Sequence, residues 1–179
     1  MCERNYCRNF DKTRLGRLLL DMVKIPDSIS NFIEKQGIFV VGTIGGNKFA
    51  NISPRIFFKV EEDAIYWLDF FKHKSYKNIL ANPWVTVSVF NKDDLEGYQF
   101  RDIASFVTDE PIKSEIQESV IQNILKINSS PKIKLLSEKE ANVIQFEPKV
   151  CYSLNPEKYS DMSIGSDIDS TTIFQKILE

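Results

Sequence analysis

"IFVVGTIGGNKFANISPRIFFKV", residues 38–60, decides the fold. Its first seven residues are a short apolar run that reads as a strand. Gly45-Gly46-Asn47 then gives a hairpin signal, because these residue types accept the positive φ of tight turns. From Lys48 the period is two. Ile52, Pro54, Ile56, Phe58 and Val60 fall on one side of a long strand, and Asn51, Ser53, Arg55, Phe57 and Lys59 on the other.

Outward from this hairpin the punctuation stays clear. Upstream, "IPDSISNFIEKQG" (25–37) predicts a helix that Asp27 or Ser28 can cap, with Ile29, Phe32 and Ile33 on one face and Gly37 at its end. "TRLGRLLLDMV" (13–23) has the pattern of an amphipathic turn or two. Downstream, "EED" (61–63) is a turn and "AIYWLD" (64–69) a strand. In "WVTVSVF" (84–90), Val85, Val87 and Val89 alternate with Trp84, Thr86 and Ser88. "NKDDLEG" (91–97) is a polar loop and "YQFRDIASFV" (98–107) another strand. "PIKSEIQESVIQNILKIN" (111–128) reads as the longest helix, opened by a proline and striped by Ile116, Val120, Ile124 and Ile127. "ANVIQFEPKVCYSL" (141–154) gives two short strands around Glu147-Pro148. Five to seven short strands at hairpin spacing, with three helices and no strict alternation of the two, predict an antiparallel β-barrel with appended helices. The expected organisation is an N-terminal extension (1–25), one barrel domain (26–154) and a C-terminal tail (155–179).

Composition bounds the function. With 179 residues, 42% hydrophobic and 12% aromatic, the chain can bury a real core. A net charge of −2 gives no chain-wide attraction to nucleic acid, so any cationic function is local. No apolar run approaches the ~20 residues of a membrane span. The charged start, "MCERNYCRNFDKTRLGR", lacks the apolar core of a signal peptide. A cytoplasmic protein that does not engage membranes is the expectation. Cys2, Cys7 and Cys151 are too few and too irregularly spaced for a disulfide framework or a metal site, and read as ordinary thiols.

Several chemistries lose their motifs. Gly37, Gly42 and Thr43 lack the lysine of a phosphate-binding loop. His73 is the one histidine, so no paired-histidine metal site can be built. A hydrolytic triad would have to use this same histidine, which lysines flank, and no G-x-S-x-G accompanies it. Asp93, Asp94 and Glu96 read as a solvated turn, and no metal site is expected.

What remains is "DFFKHKSYKNILANP" (69–83). If a helix starts near Ser75, then Lys74, Lys77 and Asn78 share one face and Tyr76, Ile79 and Leu80 the opposite, packing face. Ser75 can cap that helix or give its hydroxyl to a ligand. The helix N-terminus already carries unpaired N–H groups and positive partial charge. Lysines there are unfavourable by a few tenths to ~1 kcal/mol without a counter-anion, and a phosphate reverses the sign. The plain alternative is a solvated cluster neutralised by Glu61-Glu62-Asp63. Arg55, on the strand face of Ser53, supplies a second, forked cation.

The ordered pieces are an apolar strand ending in Gly42-Thr43, the glycine hairpin, Ser53-Pro54-Arg55, K-S-x-x-N-I-x-x-N-P from Lys74 to Pro83, and Gly97-Tyr98-Gln99. Together, over about residues 26–110, they make the chain resemble the pyridoxamine-5'-phosphate-oxidase-like family of FMN-binding split barrels. The resemblance implies a homodimer of six-stranded antiparallel split β-barrels with FMN at the subunit interface. Lys74 and Ser75 match the family's residues at the flavin phosphate. Ser53, Pro54 and Arg55 match the strand beside phosphate and ring, and Leu68 and Asp69 the end of the following strand. Gln99 resembles a polar residue that reaches the ring from its own or the partner subunit. Many relatives have glycine where Asp102 stands, on the apolar side of its strand, so this carboxylate needs a partner or a bulge.

The implied function is that of an FMN-binding flavoprotein, an oxidoreductase passing hydride or electrons to an unknown small acceptor, with ring packing by residues such as Trp67 and Pro54. No residue stands out as a catalytic acid or base. The segment that binds substrate in true pyridoxamine phosphate oxidases has no counterpart, so vitamin B6 oxidation is not assigned. The alternative is a non-catalytic flavin, haem or deazaflavin carrier, with His73 as a possible axial ligand.

Overall fold

Ile56 and Phe57 break what the alternation reads as one long strand into two. The reason is that Phe57 and Phe58 are both buried, in different cores. Successive strand side chains point to opposite faces, so this can happen only where the sheet is covered on both sides.

The computed structural model describes residues 24–46, 48–157 and 164. The predicted turns at 13–23 and the tail beyond 164 lie outside the described residues. In chain order the elements are α1 (Asp27–Gln36), β1 (Phe39–Ile44), β2 (Ala50–Arg55), β3 (Phe58–Val60), β4 (Ile65–Asp69), α2 (Lys74–Ala81), β5 (Trp84–Asn91), β6 (Glu96–Phe106), α3 (Glu110–Ile127), α4 (Pro131–Ser137), β7 (Asn142–Phe146) and β8 (Val150–Ser153). All strand pairs are antiparallel, in the order β2-β1-β5-β6-β7-β4-β3, with β8 on β6. The two ends of this path, β2 and β3, are joined by Ile56 and Phe57 alone, so the sheet must curl until its ends meet. That is a split barrel, of eight strands rather than the expected six. The surplus comes from the division of β2 from β3 and from β8.

Strand β6 makes the split. Its residues up to Ile103 pair with β5, and from Ala104 to Phe106 it pairs with β7. Trp67, Phe39, Phe100 and Phe146 fill the barrel, each contributing roughly 1.5–3 kcal/mol of apolar burial. A second core of Phe57, Leu68, Val143, Ile116 and Val120 lies under α3 and α4. Strands β4 and β7 are therefore covered on both faces, and Phe57, just before β3, reaches the second core. The outer face of β2, β1, β5 and β6 instead carries exposed Ile44, Ile52, Trp84, Phe90 and Ile103. Gly97 is required there: a Cβ on it would sit 2.6 Å from both Phe90 Cδ2 and the Val89 carbonyl.

Helix α1 ends at Gly37, whose φ of 65° lets its N–H reach the Ile33 and Glu34 carbonyls. Its N-cap is Pro26, with no side-chain cap bond, so Asp27 and Ser28 do not cap it. Asp27 contributes a first-turn charge instead. Ile116 and Val120 of the α3 stripe are buried, whereas Ile127 is exposed. Helix α4 was not anticipated. Among the described residues no helix is long and apolar enough to cross a membrane.

Candidate functional site

Edge strand β2 turns its polar side toward the barrel interior. Its apolar residues point outward, with Ile52 70% exposed, while Asn51, Ser53 and Arg55 turn inward beneath α2. The polar alternation makes this possible because α2 brings its own polar partners. Ser75, 5% exposed, places Oγ 2.8 Å from Ser53 Oγ and accepts a 3.0 Å bond from Asn51 Nδ2. Asn78 Nδ2 donates to Thr43 Oγ1 at 3.0 Å, and Asn51 Nδ2 also approaches that oxygen at 3.4 Å. The network satisfies buried polar groups that would each cost about 1–3 kcal/mol if left alone. It fixes the start of α2 against the barrel edge.

Above this network lies a cleft of about 450 Å³, lined by Asn51, Ser53, Arg55 and Asp69 on the barrel side and by the Phe71–Ser75 turn with Lys77 on the other. The N-cap of α2 is His73, without a side-chain cap bond, and the first turn holds no acidic residue. The helix thus opens on the cleft with its N–H groups uncapped and with Lys74 in its first position. The Glu61-Glu62-Asp63 turn does not neutralise the lysines. Glu61 pairs with Lys59 at 2.7 Å, and Glu62 pairs with Lys24. Among the described residues Lys72, Lys74 and Lys77 have no ion-pair partner.

Arg55 Nη2 stands 3.4 Å from Asp69 Oδ2, both side chains largely buried. Asp69 Oδ1 accepts the Phe71 N–H at 3.2 Å, and Asn142 Nδ2 donates to the Asp69 carbonyl. The carboxylate thereby holds both the guanidinium and the entry to the cationic turn. Arg55 Nη1 reaches the Pro54 carbonyl, and buried Nε has no partner. Burial draws the Arg55 pKa down, against the opposing pull of Asp69.

Of the eight residues singled out in the sequence, five meet here: Ser53, Arg55, Asp69, Lys74 and Ser75. Ser75 is not the N-cap; its hydroxyl is held in the network. Leu80, expected on the packing face, is 62% exposed, and Asn78 turns inward instead of toward the entrance. Leu68 is buried in the core under α3. Trp67 is enclosed in the barrel between Phe39 and Phe146, with no exposed face for a ring. Pro54 and Gln99 leave the cleft together. Pairing places Pro54, Val40, Ser88, Gln99 and Tyr152 in one row across the outer face. Asn51, Thr43 and Phe71 were missed, although the alternation had already put Asn51 beside Ser53.

Asp102, 2% exposed, finds the partner its position demands. Lys149 Nζ lies at 3.4 Å, and Oδ1 accepts the Ile103 N–H at 2.7 Å. Burial raises its pKa, and Lys149 works against the rise. Asp94 accepts from the Asn91 amide within its turn. Burial pushes the Cys151 thiol up to about 12, so it carries no thiolate at neutral pH. Among the described residues no group of three His, Cys, Asp or Glu side chains could hold a metal ion.

A sequence model described as pyridoxamine 5'-phosphate oxidase matches residues 25–155. No curated protein matches the chain. Solved structures share its fold. HupZ of Group A Streptococcus is 16% identical with a TM-score of 0.58, covering 76% of this chain and 98% of that one. HutZ, the haem storage protein of Vibrio cholerae, is 16% identical with a TM-score of 0.56, covering 70% and 90%. General Stress Protein 26 of Bacillus anthracis is 21% identical with a TM-score of 0.54, covering 73% and 93%.

Proposed function

The chain belongs to the pyridoxamine 5'-phosphate oxidase family, and on that premise we propose that it is an FMN-binding flavoprotein whose cleft at the α2 N-terminus holds the flavin phosphate. The observation that carries this reading is the set of unpaired lysines around an uncapped helix start. Without an anion that arrangement is unfavourable; a phosphate reverses it. Lys74 and the α2 N–H groups would hold the phosphate. Arg55, with its unpartnered Nε, would face it from the barrel side. Ser53 and Ser75 would line the floor.

The bare outer face supports self-association. Exposed Ile44, Ile52, Trp84, Phe90 and Ile103 form an apolar surface that a second copy can cover. Pro54 and Gln99 share that face, so in a homodimer they would reach the ring side of the cofactor at the interface. Bound flavin would supply hydride or single-electron transfer to a small acceptor. The protein's part is to hold the phosphate, fix the ring against the dimer surface and limit water.

A second reading, haem binding without catalysis, is favoured by one observation: His73, the sole histidine, lines the cleft. The visible spectrum of purified protein after addition of FMN or haemin separates the two. Retained flavin absorption supports the first. A Soret band that Lys74→Ala leaves intact and His73→Ala abolishes supports the second, and a folded protein that retains no FMN contradicts the first.

A further inference from the structure

The cleft holds more positive charge than one phosphate uses. Arg55, Lys72, Lys74 and Lys77 line it against one carboxylate, Asp69. A fifth cation arrives from a distant segment. Lys139, two residues beyond α4, places Nζ 5.2 Å from the ring centroid of Phe71, which itself lines the cleft. The other neighbour of that ring is His73, with centroids 5.3 Å apart and planes inclined by 32°. Lys72 lies 5.7 Å from the Tyr76 ring. Lys72 and Lys139 are thus held by aromatic faces rather than by carboxylates. Among the described residues neither has an ion-pair partner, and what sets these two lysines apart is the aromatic ring that each lies against. A flavin phosphate carries about −2 at neutral pH. Matched against these groups, it leaves about two positive charges at the mouth without a counter-charge.

We infer that Phe71, Lys72 and Lys139 form a second anion subsite at the mouth of the cleft, which recognises a carboxylate or phosphate group of the co-substrate. An aromatic ring orients an ammonium group without neutralising it, so the charge stays available to a ligand. A carboxylate partner would not leave it so. The inference rests on the flavin reading for the word co-substrate; the subsite itself rests on these residues.

The test uses the full chain saturated with FMN, titrated calorimetrically with inorganic pyrophosphate and, separately, with citrate. One of the two probes is expected to bind without displacing flavin. Lys139→Ala should weaken that binding by about fivefold or more, whereas the remote control Lys92→Ala should not. The FMN affinity of Lys139→Ala should stay within about twofold. Phe71→Ala, which leaves the lysine in place but unoriented, should weaken the probe in the same direction. Tighter pyrophosphate assigns a phosphate group, and tighter citrate a carboxylate. Failure of both probes to bind, displacement of FMN by the probe, or equal losses in Lys139→Ala and Lys92→Ala would overturn the subsite. A chain that retains no FMN yet binds a probe through Lys139 would remove the flavin reading and leave the subsite standing.

Discussion

Ser53 Oγ and Ser75 Oγ lie 2.8 Å apart and join the edge strand of the barrel to the first turn of α2. This contact sets where the helix N-terminus points, and so where an anion can be held. Ser75→Ala leaves Ser53 and the Asn51 amide short of a partner in a buried place. A loss of about 1–3 kcal/mol is expected in urea denaturation, with a weaker FMN affinity alongside. A loss below about 0.5 kcal/mol would mean that the network is loose and does not aim the helix.

Lys74 and Lys72 are neighbours with different expected weights. Lys74 occupies the first position of α2, while Lys72 lies over the Tyr76 ring. Lys74→Ala should weaken FMN about tenfold, in line with the loss of one charged hydrogen bond, and Lys72→Ala no more than about threefold. Equal effects in a fluorescence titration would move the phosphate away from the helix start.

The outer face gives a prediction about assembly. Ile52 projects from β2 beside Pro54 and is among the most exposed apolar side chains described. Ile52→Glu places a charge where a second copy would cover it, at an expected penalty of several kcal/mol per buried ion. Light scattering should show a dimer for the parent chain and a monomer for the variant, and the monomer should bind FMN less tightly. A variant that remains dimeric would place the interface elsewhere.

The Asp102–Lys149 pair makes stability depend on pH in a defined direction. Burial raises the Asp102 pKa in the folded state. A group raised on folding stabilises fully below its unfolded pKa and loses that contribution as pH rises through the folded value. Ionised Asp102 is therefore a burden at neutral and higher pH, and Asp102→Asn removes it. The Tm advantage of the variant should grow as pH rises from the acid range to pH 8, because the raised pKa makes ionisation costlier in the folded state than in the unfolded one. The opposite trend would mean that the ion pair with Lys149 outweighs desolvation.

Much of this was legible in residues 38–60, and the part that was not has a physical cause. The hairpin, the helix ending at Gly37 and the alternation through Val85, Val87 and Val89 are local signals, and they appear in the structure. The break at Ile56-Phe57 is not local. It depends on Phe57 finding a second core beneath α3, which begins more than fifty positions downstream. The inward turn of Asn51 and Ser53 escaped for the same reason. A polar strand face reads as solvent-facing until Ser75 and Asn78 are known to meet it. Asp102 was legible as a problem, but its solution, Lys149, lies on another connection.

The central claim is that the cationic start of α2 binds the phosphate of a flavin, and the comparison of FMN with riboflavin tests it most directly. The two ligands share the ring and the ribityl chain and differ only in the phosphate. Titration of the purified chain with each, followed by flavin fluorescence, should give an FMN affinity about a hundredfold tighter, as expected for two charged hydrogen bonds. The margin should shrink in Lys74→Ala and in high salt. Equal affinities for FMN and riboflavin would contradict the account.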